Sequence, residues 1–145
     1  MVKVLIKKLD QTVKLPEYKT DGASGMDIVA FIKKPINIEP KTSSLIPTGF
    51  SVAFSENYEI QIRPRSGLAV KNNISVLNTP GTIDSDYRGE IKVIIYNHGN
   101  ETFTVNNGDR IAQMILTPIV KMELKETLDL PETIRGFSGF GSTGK

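Results

Sequence analysis

Tyr58, Ile60 and Ile62 alternate with Glu59, Gln61 and Arg63 until Pro64 cuts the run. Strict alternation of this kind describes a strand with one buried and one wet face. The pattern recurs. Short stretches rich in β-branched residues run through Val2 to Ile6, Ile36 to Ile38, Leu45 to Phe54, Ile74 to Leu77, Glu90 to Asn97, Thr102 to Val105 and Arg110 to Thr117. Gly, Pro, Asn and Asp clusters separate them. Asn97-His98-Gly99-Asn100 and Asn106-Asn107-Gly108-Asp109 supply the φ > 0 chemistry that tight connections need. Many short strands joined by such turns predict an all-β chain: a sandwich, jelly roll or small barrel.

One segment departs from this pattern. After Pro64, Ser66-Gly67-Leu68-Ala69-Val70-Lys71 offers a serine cap followed by helix-tolerant residues. It predicts a single short helix near residues 66–72, with its N-terminus as an anion site. In the strand around Ile91 to Tyr96, Ile91, Val93 and Ile95 share one face, and Ile94 and Tyr96 share the other. Two apolar faces fit either a central core strand or a strand with one face against another subunit. From Pro118 to Thr133 the periodicity fades, and a glycine-rich tail follows.

Composition narrows the function classes. A chain of 145 residues with 39% hydrophobic content is sized for one core. The net charge of +2, from 18 basic and 16 acidic residues, is too balanced for sequence-independent nucleic-acid binding, so anion recognition must be local. The absence of cysteine excludes a disulfide framework, thiol catalysis and thiolate metal sites. His98, the one histidine, builds no cluster. Apolar runs such as Val93 to Tyr96 are too short for a membrane span, and Met1 to Lys8 is too interrupted for a signal peptide. A soluble, cytoplasmic protein is the expectation.

Four constellations could carry chemistry. Gly139-Phe140-Gly141-Ser142-Thr143-Gly144-Lys145 satisfies the first seven positions of the phosphate-loop pattern G-x-x-x-x-G-K. That loop needs a preceding strand and a following helix, so no Walker A ATPase is expected. Read instead with Arg135, Phe137 and Phe140, the tail offers hydroxyls and backbone amides that can close over an aromatic ring bearing an anion. The alternative is an ordinary mobile terminus.

Gly81-Thr82-Ile83-Asp84-Ser85-Asp86-Tyr87-Arg88-Gly89 sets two carboxylates and an aromatic ring between strands. A calcium loop fails, because Arg88 occupies a ligand position and Ile95 stands where the bidentate glutamate belongs. An Asx-rich hairpin remains open beside the functional reading, in which Asp84 is a general base and Tyr87 packs on a ligand. Arg63-Pro64-Arg65-Ser66-Gly67 suits phosphate gripping, or else is a plain capped helix with solvated arginines. In Gly108-Asp109-Arg110-Ile111-Ala112-Gln113, a turn and a strand explain all but Gln113.

Taken together, Ser24-Gly25-Met26-Asp27, Arg65-Ser66-Gly67-Leu68-Ala69, Gly81-x-Ile83-Asp84-x-x-Tyr87-Arg88-Gly89, Gly108-Asp109-Arg110-Ile111-Ala112-Gln113 and Arg135-Gly136-x-x-Gly139-Phe140-Gly141-Ser142-Thr143-Gly144 resemble the five ordered motifs of the homotrimeric deoxyuridine triphosphatases. Their span covers nearly the whole chain. Ser24 and Met26 are mild variants of the first motif, and Phe137 fills a variable position.

The resemblance implies a distorted jelly-roll-like β domain over residues 1–134, and a C-terminal arm over 135–145 that closes a site on a neighbouring subunit of a trimer. The implied reaction is hydrolysis of dUTP to dUMP and pyrophosphate, limiting uracil incorporation into DNA and supplying dUMP for dTTP synthesis. It assigns Asp84 as the base for the water that attacks the α phosphorus. Carboxylates are ionised at neutral pH, so no histidine is required. Because the triphosphate and its leaving pyrophosphate are highly charged, stabilisation by metal and guanidinium should matter more than base strength. Arg65, Ser66, Gly67 and Gln113 would contact the inner phosphates, and Arg135, Gly141, Ser142 and Thr143 the γ phosphate. Mg²⁺ would sit on phosphate oxygens with no direct protein ligand, helped through water by Asp27.

Asn78, Gly81, Thr82 and Ile83 would read the uracil edge, where cytosine presents a donor in place of an acceptor. Tyr87 would pack beneath the deoxyribose and exclude a 2′-hydroxyl, and Phe140 would stack on the uracil, worth roughly 1–3 kcal/mol. No direct contact with nucleic acid or membrane is implied. The related dCTP deaminases place a catalytic glutamate at the position that is Ile94 here, which argues against deamination. A non-catalytic nucleotide-binding role on the same scaffold is the third reading.

Overall fold

The computed structural model describes residues 1–139, and within them the chain is all-β with one short helix. The alternating run of Tyr58–Arg63 is a strand, β6, with Ile60 and Ile62 buried and Gln61 and Arg63 toward water. On the wet face Arg63 donates to Gln61 Oε1 from Nε at 3.0 Å and Nη2 at 2.6 Å. Gln61 Nε2 donates to Glu59 Oε1 at 2.5 Å, so polar side chains brace one another where the buried face packs.

In chain order the other strands are β1 (Leu5–Lys8), β2 (Met26–Val29), β3 (Ile36–Ile38), β4 (Ser43–Pro47) and β5 (Phe50–Ala53). After β6 and the helix α1 (Ser66–Asn72) follow β7 (Ile74–Val76), β8 (Gly81–Ile83), β9 (Lys92–Asn97), β10 (Phe103–Val105) and β11 (Arg110–Pro118). All pairings are antiparallel. A four-stranded sheet runs β2-β11-β6-β8, a three-stranded one β4-β9-β7, and β1-β5 and β3-β10 form two-stranded ladders. This is a jelly-roll-like set of open sheets with no closed barrel.

Every sheet feeds one core. Ile28, Ile38, Ile46, Phe50, Ile60, Ile74, Ile95, Val105 and Ile111 belong to a single buried cluster. The inner face of β9, with Val93 and Ile95 beside the preceding Ile91, is wholly buried, and its outer residues Ile94 and Tyr96 are half-buried. Strand β9 is therefore central, between β4 and β7. Its outer face adjoins exposed Leu45 and Leu77.

Four expectations are corrected. Leu45 to Phe54 is two strands: at Thr48-Gly49 the chain leaves the β4–β9 ladder and joins β1. Gly49 has φ 77°, and a Cβ there would lie 2.6 Å from Val13 and 2.8 Å from Phe31, so only glycine turns this corner. The first strand begins at Leu5, three residues later than Val2, because the ladder with β5 pairs Leu5 with Ala53. Strands β2 and β8, short and glycine-flanked, exist through pairing with distant β11 and β6 rather than through local propensity. Finally, Ser66 does not cap the helix. It is the first helical residue, Arg65 stands at the N-cap, and no side chain caps the open amides.

The C-terminus of α1 closes on Asn73, whose left-handed φ of 56° lets its amide reach the Ala69 and Leu68 carbonyls. Beyond β11, residues 119–134 form no helix or strand and leave Val120, Met122, Leu124, Leu128 and Leu130 exposed. Among the described residues no helix is long and apolar enough to cross a membrane.

Asn97 is the polar knot of the core. Fully buried, it donates from Nδ2 to the Ile38 and Glu101 carbonyls at 2.9 and 2.8 Å and accepts from the Gly99 amide at 2.8 Å. Asn97→Ala should lower stability by about 2–3 kcal/mol, because buried backbone groups lose their partners. Asn97→Asp should not rescue it, since a carboxylate cannot donate to two carbonyls. Urea unfolding midpoints check both.

Candidate functional site

Strand β11 bonds to β2 on one edge and to β6 on the other, and this sets Asp27, Gln113 and Arg63 in one row across the sheet. Between Arg110 and Ala112 the register against β2 slips by one residue, a β-bulge at Ile111. In a regular strand Arg110 and Gln113, three residues apart, would point to opposite faces. The bulge cancels that parity. Arg110 pairs with Val29 and Gln113 with Asp27, two positions apart on β2, so both side chains share the face of Asp27.

Asp27 is the centre of this face. Its Oδ1 accepts from Arg65 Nε at 3.0 Å, and its Oδ2 from Arg110 Nη1 at 3.1 Å. Arg65 Nη1 also donates to the Arg110 carbonyl at 3.2 Å. One carboxylate thus holds two guanidiniums from different parts of the chain. The pairs differ in exposure: the Arg65 side chain is 21% exposed, that of Arg110 53%.

Asp27, Arg65 and Arg110 line a cleft of about 270 Å³ with Lys19, Ala23, Gly25, Ser66, Gly67 and Gln113. Gly25 leaves room for Gln113, since a Cβ there would come 3.2 Å from its Oε1. Three cations, open helix amides and a hydroxyl face one carboxylate, an arrangement suited to a polyanion.

A second cleft, of about 460 Å³, is lined by Leu45, Asn78, Thr82, Ile83, Asp84, Tyr87, Glu90, Lys92 and Ile94. It lies where the outer face of the β4-β9-β7 sheet meets the segment leaving β8. The residues Leu77 to Pro80 do not close a hairpin, because β7 pairs with β9 in one sheet and β8 with β6 in the other. Gly81 is buried beneath Asn78, whose Nδ2 lies 3.2 Å from where a Cβ would stand. The turn after β8 is closed by the Tyr87 amide donating to the Asp84 carbonyl at 3.2 Å, and is braced by Arg88 Nη1, which donates to Ser85 and Tyr87 carbonyls at 2.6 and 2.9 Å.

The expected site residues therefore fall into two groups. Asp27, Arg65, Ser66, Gly67 and Gln113 come together in the smaller cleft, and Asn78, Thr82, Ile83, Asp84 and Tyr87 in the larger, with Gly81 packed behind. Arg135 joins neither: its Nε donates to the Ser138 carbonyl at 2.9 Å within a local turn. Phe140, Gly141, Ser142 and Thr143 lie outside the described residues. The two clefts are separate on one chain. Two strand spacings of about 4.8 Å and three residues of about 3.3 Å put Ile83 roughly 14 Å from Gln113, with Asp84 one residue farther.

Sequence reading passed over Arg110, Lys19, Glu90 and Lys92. Arg110 stood in the fourth motif and at the start of a predicted strand, but period-2 alternation sets it on the face opposite Gln113. Among the described residues no three His, Cys, Asp or Glu side chains gather as a metal cage. A third cavity, of about 540 Å³ and bounded by Met1, Val4, Leu15, Tyr58, Met114 and Leu116 among others, is lined mainly by apolar side chains and offers no chemistry of this kind.

Comparison with known proteins adds an independent line. The family model described as dUTPase matches residues 11–144. The deoxyuridine 5'-triphosphate nucleotidohydrolase of Fusobacterium nucleatum is 51% identical over 146 aligned residues, covering 100% of both chains. Among solved structures, a point mutant of the Staphylococcus bacteriophage 80alpha dUTPase with dUpNHpp superposes with a TM-score of 0.86 at 25% identity, covering 99% of each chain. A mutant dUTPase from phage phi11 of S. aureus, described with a structural Mg(II) ion, has a TM-score of 0.80 at 22% identity over 90% of this chain and 99% of its own.

The difference in exposure of the two guanidiniums orders their effects. Arg65→Ala should weaken inorganic triphosphate binding about tenfold or more, as for a charge-assisted bond. Arg110→Ala, in more water, should cost about fivefold or less. Titration calorimetry of the two variants measures this order.

Proposed function

The chain belongs to the dUTPase family, and from that premise we propose that it is a dUTP diphosphatase, hydrolysing dUTP to dUMP and pyrophosphate. The observation that carries the reading is the convergence of Asp27, Arg65, Ser66, Gly67 and Gln113, from three segments of the chain, on one cleft fit for phosphates. The larger cleft receives the nucleoside. Asn78, Gly81, Thr82 and Ile83 present the uracil-reading edge, Tyr87 floors the deoxyribose, and Asp84 stands beside it as the base.

In the step itself, a water oxygen attacks the α phosphorus while Asp84 takes its proton. The bond from the α phosphorus to the bridging oxygen breaks, and pyrophosphate leaves with that oxygen. Arg65 and Gln113 hold the inner phosphates in line. Arg135, Gly141, Ser142 and Thr143 hold the γ phosphate, and Phe140 covers the base. Asp27 is the one carboxylate lining the phosphate cleft among the described residues. With both its oxygens engaged by Arg65 and Arg110, Asp27 would help a Mg²⁺ ion brought in on the substrate only through water. When bound, the ion neutralises charge on the triphosphate and its leaving group.

Each active site is shared between copies of the chain. Arg65 and Gln113 should grip the same α phosphate that Asp84's water attacks, which requires them within one or two hydrogen-bond lengths of it. On one chain the backbones of Ile83 and Gln113 lie roughly 14 Å apart, and the two clefts share no lining residue, which accords with a site completed by a second copy. A second copy brings the complementary cleft. The exposed apolar side chains of residues 119–134, and those of Leu45 and Leu77, accord with surfaces covered by such copies. A homotrimer is the assembly that accords with the family, built from β domains of residues 1–134 with arms of 135–145. Limiting uracil in DNA and supplying dUMP is the accompanying role, in a cytoplasmic setting.

The deaminase alternative lacks its acid. Ile94, at the position where that chemistry needs a glutamate, lines the nucleoside cleft with an apolar side chain.

Asp84→Asn should lower kcat for dUTP by about 10²–10⁴ while retaining nucleotide binding. Pyrophosphate release from dUTP, dTTP, dCTP and UTP checks both the loss and the preference for dUTP, and full activity in Asp84→Asn would sink the assignment. Deleting residues 135–145 should abolish turnover while sedimentation still reports trimers. Mixing the two inactive chains should restore part of the activity. No recovery in proven mixed trimers would argue against shared sites.

A further inference from the structure

We infer that Gly89 is a positioning residue for sugar discrimination, acting by leaving the space into which the Tyr87 ring folds. The inference rests on the proposed role of Tyr87 beneath the deoxyribose. A Cβ built on Gly89 would stand 2.2 Å from Tyr87 Oη, 2.5 Å from Cζ and 2.9 Å from Cε2. All three are far inside van der Waals contact. The Gly89 backbone is not in the left-handed region, so an alanine could adopt its conformation, and the Tyr87 ring is what excludes a side chain.

The rest of the turn holds that ring in place. Tyr87 Oη donates to the Glu90 carbonyl at 3.1 Å. Glu90 is itself anchored, its Oε1 accepting from the Gly49 amide at 2.9 Å, at the corner where Val13 and Phe31 pack. Next to it, the Ile91 carbonyl accepts from Thr48 Oγ1 at 2.6 Å, and the Ile91 amide donates to the Phe50 carbonyl at 2.9 Å. The acceptor for the tyrosine hydroxyl is thus tied to the buried core, and the other end of the turn is braced by Arg88 on the Ser85 and Tyr87 carbonyls. A sterically exclusive floor must not yield when a 2′-hydroxyl presses on it. Here the ring is backed by the Gly89 backbone and pinned at its hydroxyl.

Tyr87 is 44% exposed and the clashing atoms are the far end of its ring, so alanine at position 89 would displace Tyr87 toward solvent without disturbing the core. In Gly89→Ala the ratio of kcat/KM for dUTP to that for UTP should fall about tenfold, with KM for dUTP rising more than kcat falls. The thermal midpoint should stay near that of wild type. Tyr87→Phe, which removes only the hydroxyl bond, should shift the ratio in the same direction. In a Tyr87→Ala background, Gly89→Ala should have no further effect on it.

Unchanged discrimination in Gly89→Ala and Tyr87→Phe overturns the inference, as do additive effects in the double variant. A wild-type enzyme that turns over UTP as readily as dUTP overturns the underlying role of Tyr87 instead.

Discussion

The nine-residue strand β11 is paired along both edges, and most of what this chain can do depends on that pairing. Through β2 it sets Asp27 beside Gln113, and through β6 it sets Gln113 beside Arg63, whose strand delivers Pro64, Arg65 and the start of α1. The same β6 carries β8 on its far edge, and β8 leads directly into Asp84. One ladder therefore spaces the cleft of Asp27 and Arg65 from the cleft of Asn78 and Asp84. Because strand spacing is set by backbone hydrogen bonds, the sheet fixes how far apart the backbones of the two clefts stand.

Asp27 shows how a small number of charges can be organised without a deep pocket. It is largely buried and accepts from two arginines on opposite oxygens. Each guanidinium is oriented before any ligand arrives, which reduces the ordering cost of binding an anion. The bulge at Ile111 is what allows this. It buries Ile111 and Ala112 in succession, against the alternation of a regular strand, and turns Arg110 onto the site face.

The larger cleft depends on a different support. The Thr48-Gly49 corner, where the chain passes from one sheet to another, takes the Glu90 carboxylate on its amide and offers the Thr48 hydroxyl to the Ile91 carbonyl. The segment from Asp84 to Gly89 is largely an exposed turn, yet its C-terminal end is fastened to the buried core through these bonds. An exposed loop gains definition from a rigid scaffold at its ends, and here the scaffold is a glycine that packing forces on the chain.

Much was legible in the sequence because it is local. Alternation marked β6, β9 and β11, turn chemistry marked their ends, and the ordered motifs singled out Asp27, Arg65 and Gln113, which the fold gathers in one cleft, and Asp84 and Tyr87, which it gathers in another. The short strands β2 and β8 were not legible, since three or four residues have no periodicity of their own and become strands only when a distant partner supplies hydrogen bonds. Arg110 was hidden by a bulge that reverses side-chain parity. The contacts of Glu90 and Gly89 were hidden because their partners, Gly49 and the Tyr87 ring, meet them only through folding. By itself, the sequence determined where the long alternating elements and the short helix form and which side chains carry charge, because backbone propensity and side-chain chemistry belong to residues. Only the tertiary structure decided which of those side chains share a face and how far apart the two clefts lie, because register and strand spacing belong to pairs of distant segments.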